Sequence, residues 1–327
     1  MKNAPTTCPN EACVNHTNPP AKWFEGNGTF KFKLTQKKIP RYRCKVCGKG
    51  FSTHTDSPMA YMKKPDIQLR LFGEMVSGVS MRRASQLLHV QEKTVLKHIK
   101  YLVAQIKEIH KAYLSTLKTS YVLVDELETF MVARPCPLSV PMVVHVRTGK
   151  ILGFEVARMP AKGHLAQIGQ SRYGWTVDNR QQYFKKMISD LLPCFKQKIT
   201  FKCDNHPHYD AWIRSQIPPI FQVDVDQTPA KKKKTPIGQP KPFDELFKIN
   251  NTFAKMRNDM NRLARKTWNT TKKEYGLENH IWLYIAWHNK YFQDPTAKKK
   301  ALKPVKKLKP TIGGMITLND RAPALSS

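Results

Sequence analysis

No stretch of the 327-residue sequence has the ~18 consecutive apolar residues that a bilayer-spanning helix requires. The N-terminal MKNAPTTCPN lacks the hydrophobic core of a secretory signal. The protein is therefore expected in a reducing, cytoplasmic compartment and away from membranes. There its seven cysteines read as metal ligands or buried thiols rather than disulfides. No internal repeat is present, which sets solenoids aside. No long amphipathic basic helix stands out, so a membrane-surface role lacks its usual vehicle. Acidic residues are scarce. Against 24 Asp+Glu stand 56 Lys+Arg, a formal net charge of +32. An excess of that size, spread along the whole chain, is the electrostatic footprint of a protein that meets a polyanion, foremost nucleic acid.

The cationic chain is organised in blocks. Residues 1–58 are polar, with aromatic and basic residues interleaved (KWFEGNGTFKFKL, RYRCKVCGKGF), and too small to build an apolar core unaided. They carry CPNEAC and CKVCGKGF. In the second, two thiolates in C-x2-C precede a glycine that permits the tight turn of a metal knuckle. Cys8, Cys13, Cys44 and Cys47 are thus expected to hold one structural Zn²⁺, with His16 left as a loop residue. Cys136, Cys194 and Cys203 have no paired spacing and read as core.

Residues 59–118 turn helical, with apolar residues at three- and four-residue spacing. LFGEMVSGVSMRRASQLLHVQEKTVLKHIKYL has helix-turn-helix form. Met81, Ala84, Leu87 and Leu88 are expected on the inner face of one helix, and Val95 and Ile99 on that of the next. Gln91, Lys93, Thr94, Lys97 and His98 are then directed outward, toward base edges and phosphates of double-stranded DNA.

Residues 119–293 read as an α/β core. Strands are expected over 121–124, 141–146 and 151–156, with Thr148-Gly149 as the turn between the last two. Helices and strands then alternate: a helix over 180–192, a strand over 199–203, a short helix over 209–215, a strand over 220–225, and helices over 243–265 and 278–291. Antiparallel strands followed by parallel ones reached through helices fit an RNase H-like mixed sheet. SYVLVDELETF is expected to end a strand with Asp125 and Glu126, and KITFKCD to end another with Asp204. Two carboxylates at the ends of separate buried strands are the start of a two-metal phosphoryl-transfer site. His206 and His208 follow closely but flank Pro207 in a loop. Glu128, Asp224 and Asp226 read as surface or strand-end charges. A Lys-rich insertion around 228–241 and a Lys/Pro-rich tail over 294–327 read as basic and disordered.

In the order of its parts the chain resembles bacterial insertion-sequence transposases of the DDE type, most of all the short elements of the first-described class. The motifs are CPN…C…RYRC-x-x-C-G, the helix-turn-helix, the strand ending in Asp-Glu, MRNDMNRLARKTWNTTK and the aromatic LYIAWHN helix. They span the chain to about Phe292. The resemblance implies that Asp125 and Asp204 bind Mg²⁺ or Mn²⁺ for DNA strand cleavage and strand transfer at element ends. It implies a homo-oligomer on DNA, a nucleoid-associated location, and DNA contacts from Arg257, Arg262, Arg265 and Lys266. The third acid departs from the pattern. Counting back from Arg257, its position holds Asn250. At ~100° per residue, Phe243, Leu246, Phe247, Asn250 and Ala254 share one face, which puts Asn250 toward the site. Glu245 falls opposite, and Asp244 on the flank is the second choice. That departure keeps open a non-catalytic DNA-binding protein on the same scaffold, a repressor or an inactivated copy.

Overall fold

The computed structural model of the protein describes residues 6–31, 38–52, 55, 62, 64–228, 244–264 and 266–292. The basic insertion from 229, the tail over 294–327 and Arg265 lie outside the described residues.

The N-terminal segment folds as one helical turn, α1 (Val14–Thr17), and an antiparallel sheet of β1 (Phe24–Lys31), β2 (Lys38–Cys44) and β3 (Gly50–Ser52). Nearly every side chain of β1 faces solvent. Among its described apolar residues burial is confined to Trp23, Phe51 and three cysteines, with Phe24 and Tyr42 packed alongside; the polar Asn15 and Ser52 are buried as well. Trp23 stacks on Phe51 at 5.0 Å between ring centroids. Such a core is far smaller than folding at this length needs, which leaves the cysteines to supply the staple.

Three helices follow: α2 (Gln68–Val76), α3 (Met81–Leu87) and α4 (Glu92–Thr116). Ser80 caps α3 by accepting a hydrogen bond from the Arg83 amide at 3.2 Å. The turn between α2 and α3 runs through Gly78 at φ +81, where a Cβ would lie 2.9 Å from the Asp259 carbonyl oxygen. Only glycine meets both demands. The inner face of these helices, including Leu71, Met75, Val95, Ile99 and Ile106, shares its core with Leu283 and Ala286 of a much later helix.

The main sheet is built from β4 (Thr119–Phe130), β5 (Pro137–His145), β6 (Ile151–Phe154) and the two-residue β7 (Ala157–Arg158), then β8 (Phe195–Asp204) and β9 (Gln222–Thr228). Between and after them come α5 (His164–Tyr173), α6 (Arg180–Leu191), α7 (Tyr209–Arg214), α8 (Phe247–Asp259) and α9 (Glu274–His288). The spatial order is β6-β5-β4-β8-β9, with β7 pairing β5. Pairs β6–β5 and β5–β4 are antiparallel, while β4–β8 and β8–β9 are parallel. This is the RNase H-like mixed sheet expected from the sequence. Strand alternation divides its two faces. Leu123, Leu127 and Met142 pack against α8 and α9, whereas Val122, Val124, Phe201 and Cys203 pack against α6 and α7.

Several boundaries depart from expectation. Strand β4 does not end at Glu126 but continues to Phe130, because β5 keeps pairing with it as far as Phe130↔Pro137. Helix α5, poor in apolar residues, had no periodic signal. Helix α8 starts at Phe247 and stops at Asp259, where Met260 turns extended (φ −114, ψ 96).

One polar side chain closes a sheet edge. Asn289 accepts from the Ile151 amide at 2.9 Å and donates to the Ile151 carbonyl at 2.8 Å, as a neighbouring strand would. Asn289→Ala leaves both buried backbone groups unpaired, so it is expected to cost about 2–4 kcal/mol in urea denaturation. A change below about 0.5 kcal/mol would show this edge to be satisfied without it.

Candidate active site

The parallel register of β4 and β8 places Val124 beside Cys203, the last pair of that ladder. The next residues along the two strands are Asp125 and Asp204. Asp125 has the parity of Leu123 and Leu127, and Asp204 alternates with the inward Phe201 and Cys203 of the opposite face. Both carboxylates thus stand on the α8 side of the sheet, on adjacent strands ~4.8 Å apart. Beyond this point β4 continues with β5 alone, and the sheet opens into a notch. Asp125 lies there in mid-strand and half-buried, not at a strand end in solvent. Glu126 points to the other face.

The electrostatics follow from that placement. Burial pushes the Asp125 carboxyl up to about 7; the Glu126 amide, donating at 2.7 Å, opposes the rise, the charge of Asp204 adds to it, and Arg257 offsets part of it. Burial also raises Asp204, with His206 opposing. One carboxylate oxygen of Asp204 is buried with no hydrogen-bond partner. A pair of desolvated, adjacent acids with an unpaired oxygen is an arrangement that a bound cation relieves.

Helix α8 meets this face through Ile249, Phe253 and Met256. The inward side is therefore not the one expected: Phe247 is 60% exposed, and Asn250 and Ala254 are exposed as well. The apolar stripe 246–249–253–256–260 governs the phase, since it has Leu123 and Leu127 to meet. Asn250 lies on the flank of that stripe, two turns before Arg257, and donates to Asp244 at 3.1 Å. Glu245 precedes the helix, so helical phase does not apply to it. Its carboxylate reaches the sheet face, pairing with the buried Lys202 and accepting from the Thr228 hydroxyl at 3.1 Å. Lys202 also holds Asp226 at 2.7 Å, so Asp226 is a half-exposed partner of a buried lysine rather than a loose strand-end charge. Thr228 pairs with Asp204 across β8 and β9. Sequence reading missed this cluster because its members come from three separate elements. His206 neighbours Asp204 electrostatically and stacks on Tyr209 at 4.5 Å.

The four N-terminal thiols converge. Their sulfur atoms all lie within 4.8 Å of one another, with Cys8 and Cys47 at 3.6 Å and Cys13 and Cys44 at 3.8 Å. A tetrahedral zinc with Zn–S bonds of ~2.3 Å sets sulfurs about 3.8 Å apart, so the cluster fits a closed structural Zn²⁺ site. Burial pushes Cys8 up to about 12. At Cys44 burial is outweighed by the Cys47 and Val46 amides and the Asn15 side chain, which bring the thiol down to about 6. His16 donates to or accepts from no sulfur; its Nδ1 is tied to the Cys8 carbonyl at 2.7 Å. Among the described residues these cysteines are the sole group of three or more Cys, His, Asp or Glu at metal-ligand range. Among the described residues no group of three carboxylates or imidazoles at that range includes Asp125 and Asp204.

In the helical module Gln91, Lys93 and Lys97 are exposed and Thr94 is partly so. His98 is not outward: it is fully buried. It lies three and four residues from Val95 and Leu102, on the stripe that faces the core. Met81 packs partly buried against the core that Ala84 and the C-cap residue Leu88 enter fully, while Leu87 is only partly buried. Arg257 is partly buried and Lys266 exposed; Arg262 is largely buried.

No protein-family model and no curated protein matches this chain. Among solved structures it is similar to piggyBac transposase in a synaptic complex with hairpin DNA, at 10% identity and a TM-score of 0.37. The match covers 69% of this chain and 64% of that one, so the chain spans just under two thirds of that protein's length. No helix among the described residues is long and apolar enough to cross a membrane.

Proposed function

We propose that the protein is a DNA transposase, cutting and joining DNA strands with Asp125 and Asp204 holding Mg²⁺ or Mn²⁺. The observation that carries this reading is the placement of the two acids side by side, on one face of the central parallel pair of an RNase H-like sheet. The orphaned Asp204 oxygen supplies the donor that a hard divalent ion prefers. Such an ion, when bound, supplies Lewis-acid activation of water or a 3′-hydroxyl toward a phosphodiester. The chain's own residues orient and charge the site. The Glu126 amide fixes one Asp125 oxygen, and Arg257 adds positive charge where a phosphate would lie. Asn250 and Asp244, joined by their hydrogen bond at the start of α8, are the proposed additional oxygen ligands, Asn250 first. Glu245, held on Lys202 and Thr228, is a further carboxylate on the same face.

The zinc ribbon over 1–58, the helix-turn-helix over 59–118 and the core over 119–293 are proposed as separate DNA-engaging and catalytic parts. Gln91, Lys93, Thr94 and Lys97 would read and position double-stranded DNA, with Arg257, Arg262, Arg265 and Lys266 gripping the backbone in a homo-oligomeric complex in the cytoplasmic nucleoid. The second reading, a non-catalytic DNA-binding protein, is favoured by the lack, among the described residues, of a third acid at metal-ligand range of the pair.

The test is nicking of DNA carrying the flanking ends by purified protein, over a range of Mg²⁺ and Mn²⁺. Cleavage dependent on millimolar ion is expected, since two carboxylates bind more weakly than three. Asn250→Asp should raise activity if Asn250 occupies the third-ligand position; Glu245→Gln should lower it if Glu245 serves instead. DNA binding without nicking under any ion would leave the second reading standing.

A further inference from the structure

A lysine seldom lies fully inside a protein unless it is paired, yet Lys202 is only 5% exposed, on the face of β8 that carries Asp204. One position separates the two residues, so their side chains leave the same face of the strand about 7 Å apart. The Lys202 ammonium is shared between two half-exposed carboxylates, Asp226 of β9 at 2.7 Å and Glu245 just ahead of α8. Register explains the first partner, because Lys202 and Asp226 pair directly across β8 and β9. Glu245 comes from a different element. The oxygen that meets Lys202 also accepts from the Thr228 hydroxyl at 3.1 Å, and Thr228 is the cross-strand partner of Asp204. Glu245 is thus anchored at the level of Asp204 on the next strand, with its charge directed to the lysine.

The charges make that contact exchangeable. One ammonium set against two carboxylates leaves these three groups with a net negative charge, beside the further acids Asp125 and Asp204. A divalent ion on the acid pair attracts a carboxylate anchored on the neighbouring strand. Glu245 can leave Lys202 without orphaning a buried cation, because Asp226 stays with it. Were Glu245 the sole partner, its departure would carry the full penalty of a buried unpaired charge. The backbone need not move. The Asp244 carbonyl accepts from the Phe247 amide at 3.0 Å and the Asp244 carboxylate from the Leu246 amide at 3.1 Å, which fixes the turn while the long glutamate side chain changes partner.

We propose that Lys202 is a positioning residue: it holds Glu245 back in the metal-free protein and releases it to a divalent ion bound by Asp125 and Asp204, with Asp226 remaining as the lysine's partner. The inference rests on the acid-pair site proposed above and adds the exchange to it. It needs neither DNA nor cleavage to be read.

The experiment is Mn²⁺ binding to the full chain without DNA, followed by the electron paramagnetic resonance signal of the free ion. Lys202→Met frees Glu245 and should tighten binding about tenfold. Asp226→Asn, which leaves Glu245 as the lysine's sole partner, should weaken it. Changing a charge near the ion shifts affinity in these directions by itself, so the cycle with Glu245→Gln decides. Glu245→Gln should loosen binding by at most about threefold in the parent, where release from Lys202 offsets the new ligand, and by about tenfold or more in Lys202→Met. Equal losses in the two backgrounds would overturn the proposal. Melting curves in EDTA verify the folds, and Lys202→Gln, which keeps a hydrogen-bond donor, repeats the cycle if Lys202→Met does not fold. Mn²⁺ binding unchanged by Asp125→Asn would instead sink the acid-pair site, and the exchange with it.

Discussion

Asp125→Asn should reduce divalent-ion-dependent nicking by at least about 10³-fold, leave DNA binding intact, and stabilise the metal-free protein at pH 8. The last effect separates a site carboxylate from an ordinary surface acid. In the folded chain burial pushes Asp125 up to about 7, against 3.8 ordinarily. Below pH 4 the group is protonated in both the folded and the unfolded chain and contributes nothing. Between the two values the folded chain holds a proton that the unfolded chain has released, so stability falls as pH rises. Above pH 7 the penalty is complete, on the order of 2–4 kcal/mol from about 3 units at 1.36 kcal/mol each. The asparagine variant carries no such burden. Its melting temperature should exceed the parent's at pH 8 and match it at pH 4, and added Mg²⁺ should narrow the gap by stabilising the parent alone. Full nicking by the variant, or a gap independent of pH, would remove Asp125 from the site.

Cys44→Ser is expected to lower zinc from about one ion per chain to well under half, and to unfold the ribbon over residues 8–52. Structural zinc contributes apparent free energies of about 10–16 kcal/mol to small domains of this kind. The ribbon has little else, since among its described residues only Trp23 and Phe51 are buried besides three of the cysteines and two polar side chains. Elemental analysis reads the first effect. Limited proteolysis reads the second, through new cleavage between β1 and β3. Cys203→Ser, a buried thiol of the main sheet, should leave zinc content unchanged. Zinc retained at one per chain in Cys44→Ser, with no new cleavage, would refute the four-thiolate assignment.

Features set by near neighbours in the chain were legible beforehand. Cys44 and Cys47 announce a knuckle because C-x2-C and the following glycine make it locally. The β-branched runs before Asp125 and Asp204 announce buried strands through alternation alone, and the same alternation turns both acids to one face once the register is known. What depended on meeting partners was not legible. The phase of α8 hinges on Leu123 and Leu127, so Phe247, apolar as it is, ends in solvent. His98 looks outward by residue type yet belongs to the Val95–Leu102 stripe by position. Glu245 escaped because its partners Lys202 and Thr228 lie on two strands of the sheet, and a residue outside the helix obeys no helical phase.

Helix α9 is apolar nearly all round. Leu277, Ile281, Tyr284 and Ile285 complete the core above the sheet, while Leu283 and Ala286 complete the core of α2, α3 and α4. Domains ordinarily fold one after another as a chain leaves the ribosome, the N-terminal first. Here the helices over 68–116 must wait for residues 274–288 before their apolar face is covered. A nascent chain therefore emerges with α2, α3 and α4 made but their core not yet covered, and both cores close in a single late step. Synthesis that halts before residue 274 yields a chain with two open cores.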